Sequence, residues 1–285
     1  MGLRDDGQFI PFDSGGEIGT LFGREGNVLL VNGKLNPTLL AQPDSRQRWR
    51  VINAARSRYF ELGFEGHEFL YVGGDNGFSA EPTTVTQPII VPGQRSDLVV
   101  TFDGTPGAET HVEWIPTERG YGSTFNRIPK PLFKVHFTAP PDAALPAMPE
   151  IAREIEIIDT TGALEVELEF TVSQAGGRSV MGINDMPYSE VVPLLAQLGD
   201  TQIWRLVNRT DFAHPFHIHG YYFQVIDDNG EPVLPLEWKD TVDVQVDHTV
   251  RIAIRFEDRP GTWMYHCHIL DHAGAGMMGQ LIVTE

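Results

Sequence analysis

Glycine and proline cut this chain into short pieces. Its 29 glycines and 20 prolines recur as punctuation between brief runs of β-branched and aromatic residues, the pattern of an all-β chain rather than a helical one. The sequence predicts few helices, and strands over 27–31, 48–53, 69–72, 84–91, 97–102, 111–115 and 133–137, then over 153–158, 165–172, 201–208, 221–226, 241–246, 250–256, 262–266 and 279–283. Between the two sets lies 138–152, with four prolines, several alanines and no periodic face, which reads as a linker. The halves resemble each other. Trp49-Arg50-Val51-Ile52-Asn53 matches Trp204-Arg205-Leu206-Val207-Asn208 at an offset of 155, and 97–102 parallels 249–256 at nearly the same offset. Two echoes in the same order predict a duplicated sandwich. Domain limits of 1–140 and 153–285, joined by a Pro-rich linker at 141–152, follow.

At 285 residues the chain has ample length for two hydrophobic cores. A formal charge of −18 opposes an electrostatic grip on nucleic acid or on an anionic membrane surface, so neither is expected as a partner. No run approaches the ~18 apolar residues of a membrane span, and the start, Met1 to Gly7, lacks the apolar core of a secretory signal. With Cys267 as the single cysteine, no internal disulfide and no paired-cysteine zinc knuckle can form.

Six of the ten histidines crowd into two segments, His214-Pro215-Phe216-His217-Ile218-His219 and His266-Cys267-His268-Ile269-Leu270-Asp271-His272, with Met277 and Met278 just beyond. Imidazoles, one thiol and a thioether at this density suit a soft transition metal. Strand alternation then sorts them. His266 and His268 share a face while Cys267 between them faces the other way, so the three cannot serve one ion. His217 and His219 share a face by the same rule if their segment is extended, and can join that histidine pair. On the opposite side His272 and Met277 can fold back toward Cys267 as His214 approaches from the other segment. Two histidines, a thiolate and a weak axial thioether make a blue-copper site, and the missing second thiolate argues against zinc.

The segments HPFHIHG and HCHILDHAGAGMM resemble the two C-terminal copper signatures of the multicopper oxidases, the laccase-like family built from cupredoxin domains. The remainder resembles the second and third domains of a three-domain member, which implies two tandem cupredoxin-like Greek-key β-sandwiches. Mapped by motif, the resemblance implies His214, Cys267, His272 and Met277 for type 1 copper, His217 for type 2 copper, and His219, His266 and His268 for the type 3 pair. Slid by 155 and 154, the first half places Tyr59, Leu62 and Phe64 opposite His214, His217 and His219, and Val112, Glu113 and Trp114 opposite His266, Cys267 and His268. That half is expected to be metal-free.

The family's trinuclear cluster takes eight histidines, four of them from two His-x-His motifs in a preceding domain. The remaining histidines, His67, His111, His136 and His248, are isolated and read as surface or structural, so half a cluster is encoded. A missing N-terminal domain, a partner chain or a second copy of this chain can supply the rest; a stand-alone type 1 electron carrier is the other reading. The resemblance implies single electrons taken from phenolic or aromatic-amine reductants, passed through Cys267 to His266 and His268, and used to reduce dioxygen to water. It implies electron uptake at an exposed edge of His214, near which Asp211 is a possible substrate contact, and a periplasmic or secreted location. Ala273 stands where some bacterial members carry a proton-donating glutamate. Asp240 is a candidate support for a ligand, and Tyr221, Tyr222, Phe223 and Trp263 read as core and rim.

Overall fold

A computed structural model describes residues 2–11, 16–120, 128–148, 150 and 153–285. In the first half a short helix, α1 (Gly16–Phe22), precedes β1 (Thr38–Ala41), β2 (Arg46–Ile52), β3 (Phe60–Phe64), β4 (Phe69–Gly74), β5 (Gly77–Val85), β6 (Ile89–Ile90), β7 (Arg95–Thr101), β8 (Glu109–Ile115) and β9 (Lys130–Phe137). The second half contains β10 (Leu164–Ala175), β11 (Arg178–Ile183), β12 (Leu194–Gln197), β13 (Thr201–Asn208), β14 (His214–Ile218), β15 (Phe223–Asp228), β16 (Glu231–Pro232), β17 (Thr241–Val244), β18 (Thr249–Arg255), β19 (Gly261–Cys267), the one-turn helix α2 (Leu270–Gly274) and β20 (Met278–Thr284).

Within each half the chain crosses repeatedly between two sheets, so each half is a sandwich with Greek-key connections. The five-stranded sheet β1-β9-β8-β3-β6 has its twin, strand for strand, in β12-β20-β19-β14-β17. The four-stranded sheet β2-β7-β4-β5 reappears as β13-β18-β15-β16, which β10 and β11 extend at one edge. The fold is therefore all-β, two tandem cupredoxin-like sandwiches. Register repeats too: Trp49 faces Leu98, and Trp204 faces Ile252. Even the polar fittings recur. Trp49 Nε1 donates to Gln47 and Trp204 Nε1 to Gln202, while the amides of Gln47 and Gln202 donate to the carbonyls of Leu40 and Leu195.

Alternation along these strands sends one apolar face inward. Phe69, Leu98, Val100, Phe102, Val112 and Val135 fill the first core; Trp204, Phe216, Phe223, Ile252, Ile254 and Tyr265 fill the second. Tyr59 and Val91 come from the first half but pack in the second core, so the sandwiches share a seam.

Several sequence expectations need correction. Residues 27–31 form only an isolated bridge from Val31 to Lys34. Residues 153–158 pair with no strand, because the Gln224 amide takes the backbone bonds at Ile158 and Glu156 that a ladder would use. The predicted strand 84–91 breaks at Pro88, which has no N–H to give, and the chain passes there from one sheet to the other. Strands β1, β3, β11 and β12 are four to six residues long, too brief for a period to announce them. Between Phe137 and Leu164 no described residue lies in a strand or helix; residues 149, 151 and 152 of the expected linker lie outside the described residues.

The alignment of the halves shifts by one residue at the ligand strands. Asn53 Nδ2 donates to the carbonyls of Arg58 and Ile90, and Asn208 Nδ2 to those of Phe212 and Val244, so the segment following the asparagine is one residue shorter in the second half. Ladder pairing then sets Phe60, Gly63 and Glu65 opposite His214, His217 and His219. It sets Glu113, Trp114 and Ile115 opposite His266, Cys267 and His268. Neither alignment gives the first half a histidine, cysteine or methionine at these places.

Candidate metal centre

Strands β14 and β19 lie side by side, with Phe216 paired to Cys267 and His217 to His266. Successive side chains point to opposite faces, so two groups of donors form back to back. On the inner face, Cys267 Sγ lies 3.6 Å from His214 Nδ1 and 3.6 Å from His272 Nδ1, and the two nitrogens are 3.1 Å apart. His272 reaches this position because the chain leaves β19 through α2. Its carbonyl accepts from Met277 N, and the Met277 carbonyl accepts from Cys267 N. Gly276, at φ +119, makes the return turn, where a Cβ would stand 2.4 Å from the Met181 carbonyl oxygen.

All four residues are sealed in: His214, Cys267 and Met277 are 0 % exposed and His272 is 1 %. Phe170 and Phe212 wall the pocket, with ring centres 5.1 Å and 6.5 Å from His214. Burial holds the His214 imidazole well below its usual value and brings His272 down to about 4, so both offer lone pairs at neutral pH. Burial pushes the Cys267 thiol up, a preference that a cation among these donors reverses. The outer nitrogens are fixed: His214 Nε2 meets the Thr210 hydroxyl at 2.8 Å, and His272 Nε2 meets the Leu21 carbonyl at 3.0 Å. The expected exposed edge of His214 is thus absent, closed by Thr210 and by burial. Asp211 is exposed on the turn before β14.

On the other face the rings of His217, His219, His266 and His268 cluster, with neighbouring centres 5.0 to 5.5 Å apart. His217 Nδ1 is held by the Asp240 carbonyl at 2.9 Å and the Thr241 hydroxyl at 3.0 Å, and His266 Nδ1 by the Cys267 carbonyl at 2.9 Å. Burial takes His266 down to about 4 and lowers His219 and His268. The Nε2 atoms of His219 and His266 stand 3.1 Å apart, an approach two lone pairs make only around a proton or a cation. Among the described residues, buried His268 Nδ1 has no hydrogen-bond partner. Gly93 of the first half, at φ +86, lies against this ring; a Cβ there would sit 2.3 Å from His268 Cδ2.

Both groups fit metal ions. A triangle with the sides of the thiolate site leaves room for an ion about 2 Å from each donor, the usual length of a metal–imidazole bond. His214, Cys267 and His272 form one cluster of potential ligands, and His217, His219 and His266 another. His67 stacks on Phe64 with ring centres 4.0 Å apart, and His248 pairs with Asp228 at 2.7 Å. His136 lies 3.6 Å from Glu109, and His111 is part of β8.

Polar supports surround the ligands, and of these the sequence points only to Asp240. Thr210 and Leu21 hold the two imidazoles of the inner face. Arg95 forks onto Asp240 at 2.7 and 2.5 Å, and Asp75 accepts from Arg95 N, Asp240 N and Thr241 N, which ties the His217 support to the first half. Asp271 is gripped by Arg24, Arg56 and Ser57. Tyr221 and Phe223 belong to the core, and Trp263 sits near the rim with Nε1 donating to the Arg259 carbonyl.

A duplicated cupredoxin-like sandwich with imidazoles flanking a buried thiol defines a copper-binding class of protein. Two multicopper oxidase family models match the chain, one over residues 160–285 and one over residues 11–110. The chain belongs to the multicopper oxidase family, which implies copper. It is 29 % identical to the laccase of Bacillus subtilis over 292 residues, covering 91 % of this chain and 55 % of that protein. It superposes on a multicopper oxidase of the hyperthermophile Aquifex aeolicus with a TM-score of 0.86 and 26 % identity, covering 99 % of this chain and 64 % of that one. A laccase-like oxidase from a lignin-degrading Ochrobactrum, active toward lignin model compounds, matches at a TM-score of 0.79 and 26 % identity, covering 94 % and 62 %. The chain spans about half the length of the curated relatives it matches.

Proposed function

We propose that the chain is the C-terminal two-domain portion of a laccase-like multicopper oxidase, an oxidoreductase with dioxygen as acceptor. In this reading residues 1–140 form a metal-free cupredoxin-like domain, 141–152 a Pro-rich linker, and 153–285 the copper-binding domain. The observation that carries it is the thiol of Cys267 set equidistant, at 3.6 Å, from two buried imidazole nitrogens. His214, Cys267, His272 and Met277 would hold type 1 copper, while His217 would contribute to type 2 copper, and His219, His266 and His268 to the type 3 pair. Copper bound at these places supplies one-electron oxidation at the first and four-electron reduction of dioxygen to water at the second.

The protein's own residues position and insulate. Phe170 and Phe212 keep the thiolate pocket dry, Thr210 and the Leu21 carbonyl fix its imidazoles, and the peptide links from Cys267 to His266 and His268 join the two donor groups by covalent bonds. Neither imidazole edge of the pocket is open, so a reductant contacts the protein around the site and not a bare ligand. Small phenols or aromatic amines fit as reductants, in keeping with the lignin-model activity of the Ochrobactrum relative. The other four histidines come from a preceding cupredoxin domain, a partner chain or a second copy. Family analogy supports a periplasmic or secreted location. The clustering of four imidazoles beside the thiolate site favours this reading over a stand-alone electron carrier.

Copper titration with absorption spectroscopy tests the proposal. The chain alone is expected to show an intense thiolate-to-copper band, and to consume dioxygen with a phenolic reductant only when the other four histidines are supplied, by an added domain bearing two His-x-His motifs or by a second copy of the chain. A copper-saturated chain without that band would overturn the reading; a band with no oxygen uptake under any pairing would leave the electron carrier.

A further inference from the structure

Helix α2 has no intrinsic reason to hold its place. It is five residues long, far below the ~12 that an isolated helix needs in water, and its N-cap, Ile269, makes no side-chain capping bond. Yet its second residue is His272's neighbour Asp271 and its third is His272 itself. Three consecutive residues of the helix are instead bound by two segments of the first half. Leu270 N donates to the Arg56 carbonyl at 3.0 Å, and His272 Nε2 donates to the Leu21 carbonyl at 3.0 Å. Between them, the Asp271 carboxylate takes Arg24 N at 2.8 Å, Arg24 Nε at 2.7 Å and Nη2 at 2.5 Å, Arg56 Nε and Nη2 at 2.9 Å each, and Ser57 Oγ at 3.1 Å.

Six donors on one carboxylate exceed what a surface ion pair offers, and this side chain is only 3 % exposed. Charge-assisted, forked contacts of this kind set position as well as energy. The two gripping segments are themselves locked together. Gly23 lies so close that a Cβ would stand 2.7 Å from Ser57 Cβ and 2.8 Å from Ile269 Cγ2. The Leu21 contact also has a chemical consequence: it assigns the proton of His272 to Nε2 and leaves the Nδ1 lone pair aimed at the thiolate site.

We propose that Asp271, clamped by Arg24, Arg56 and Ser57, is a positioning residue for His272, so that the first sandwich sets the copper affinity and redox character of a site whose ligands all lie in the second. This rests on the copper reading above. His272 is the one imidazole of the site carried on a short, uncapped turn, and the clamp lies one residue away from it. His214 is on a paired strand and needs no such device.

The test uses the copper-loaded full chain as Arg24→Ala, Arg56→Ala, the double variant, Asp271→Asn and Arg56→Lys. Arg48→Ala, which breaks the Arg48–Asp97 pair elsewhere in the first sandwich, serves as a control. Folding is checked by circular dichroism, and the readouts are the thiolate band, the midpoint potential and the rate of copper loss to a chelator. The double variant is expected to lose copper ~10 to 100-fold faster with a displaced band and potential. Arg56→Lys falls between, since an ammonium cannot fork onto both oxygens, and Arg48→Ala matches the parent. If Asp271→Asn fails to fold, the single arginine variants, which leave one guanidinium on the carboxylate, carry the test. A folded double variant with the parent's band, potential and release rate overturns the proposal while the copper reading stands. A parent chain that shows no thiolate band overturns both.

Discussion

In the copper reading proposed above, Cys267 is the residue on which colour depends. Replacing it with serine leaves two imidazoles and a thioether around a weaker oxygen donor, so Cys267→Ser is expected to abolish the thiolate band entirely while circular dichroism stays unchanged. Gly93 tests the other face. At φ +86 an alanine is strained, and its methyl would overlap His268; Gly93→Ala is expected to cost ~1 to 3 kcal/mol in denaturant unfolding. Asp243 gives a pH signature of its own. Burial pushes its carboxyl from 3.8 up to about 6, against hydrogen bonds from Tyr59 and Gln245. Between those values the folded chain holds more protons than the unfolded one, so stability falls as pH rises from about 4 to about 6. In Asp243→Asn that part of the slope disappears, which thermal unfolding across the range measures. Residue types announced the donors because alternation alone separates Cys267 from His266 and His268. The Leu21 carbonyl could not be read in the same way: a backbone oxygen carries no residue signature, and 251 positions separate it from His272.

Among elements, the twin tryptophans distinguish the two sandwiches energetically. Trp204 is fully buried, against Phe216 and Tyr265 with ring centres 6.2 and 5.2 Å away, whereas Trp49 is only partly buried. Trp204→Ala is expected to destabilise the chain by ~3 to 5 kcal/mol and Trp49→Ala by less, compared by denaturant midpoints. Both indoles stood out in the sequence as anchors of a repeated strand, and the paired strands around them were legible for the same reason: long, β-branched and alternating. Short strands were not. Thr38–Ala41 and Leu194–Gln197 have four residues each and are held by parallel pairing to β9 and β20, a tertiary fact without a local pattern. The one-residue slip at the ligand strands arises from a shorter segment after Asn208, which comparison by a fixed offset cannot register.

For the whole molecule, the seam between sandwiches is part of the centre. Tyr59 packs in the second core and donates to Asp243, Arg95 braces Asp240, and Leu21 holds His272. Residues 153–285 expressed alone are therefore expected to lack the thiolate band of the intact chain, a comparison made at equal copper loading. The donor groups also differ in their access to water. His219 is exposed and His217 and His268 are half-buried, while every candidate ligand on the inner face is sealed. If the proposed copper reading holds, a mild chelator is expected to strip whatever ions the imidazole cluster holds within the time of a wash, and the blue tint to outlast them, fading only as slowly as the pocket breathes.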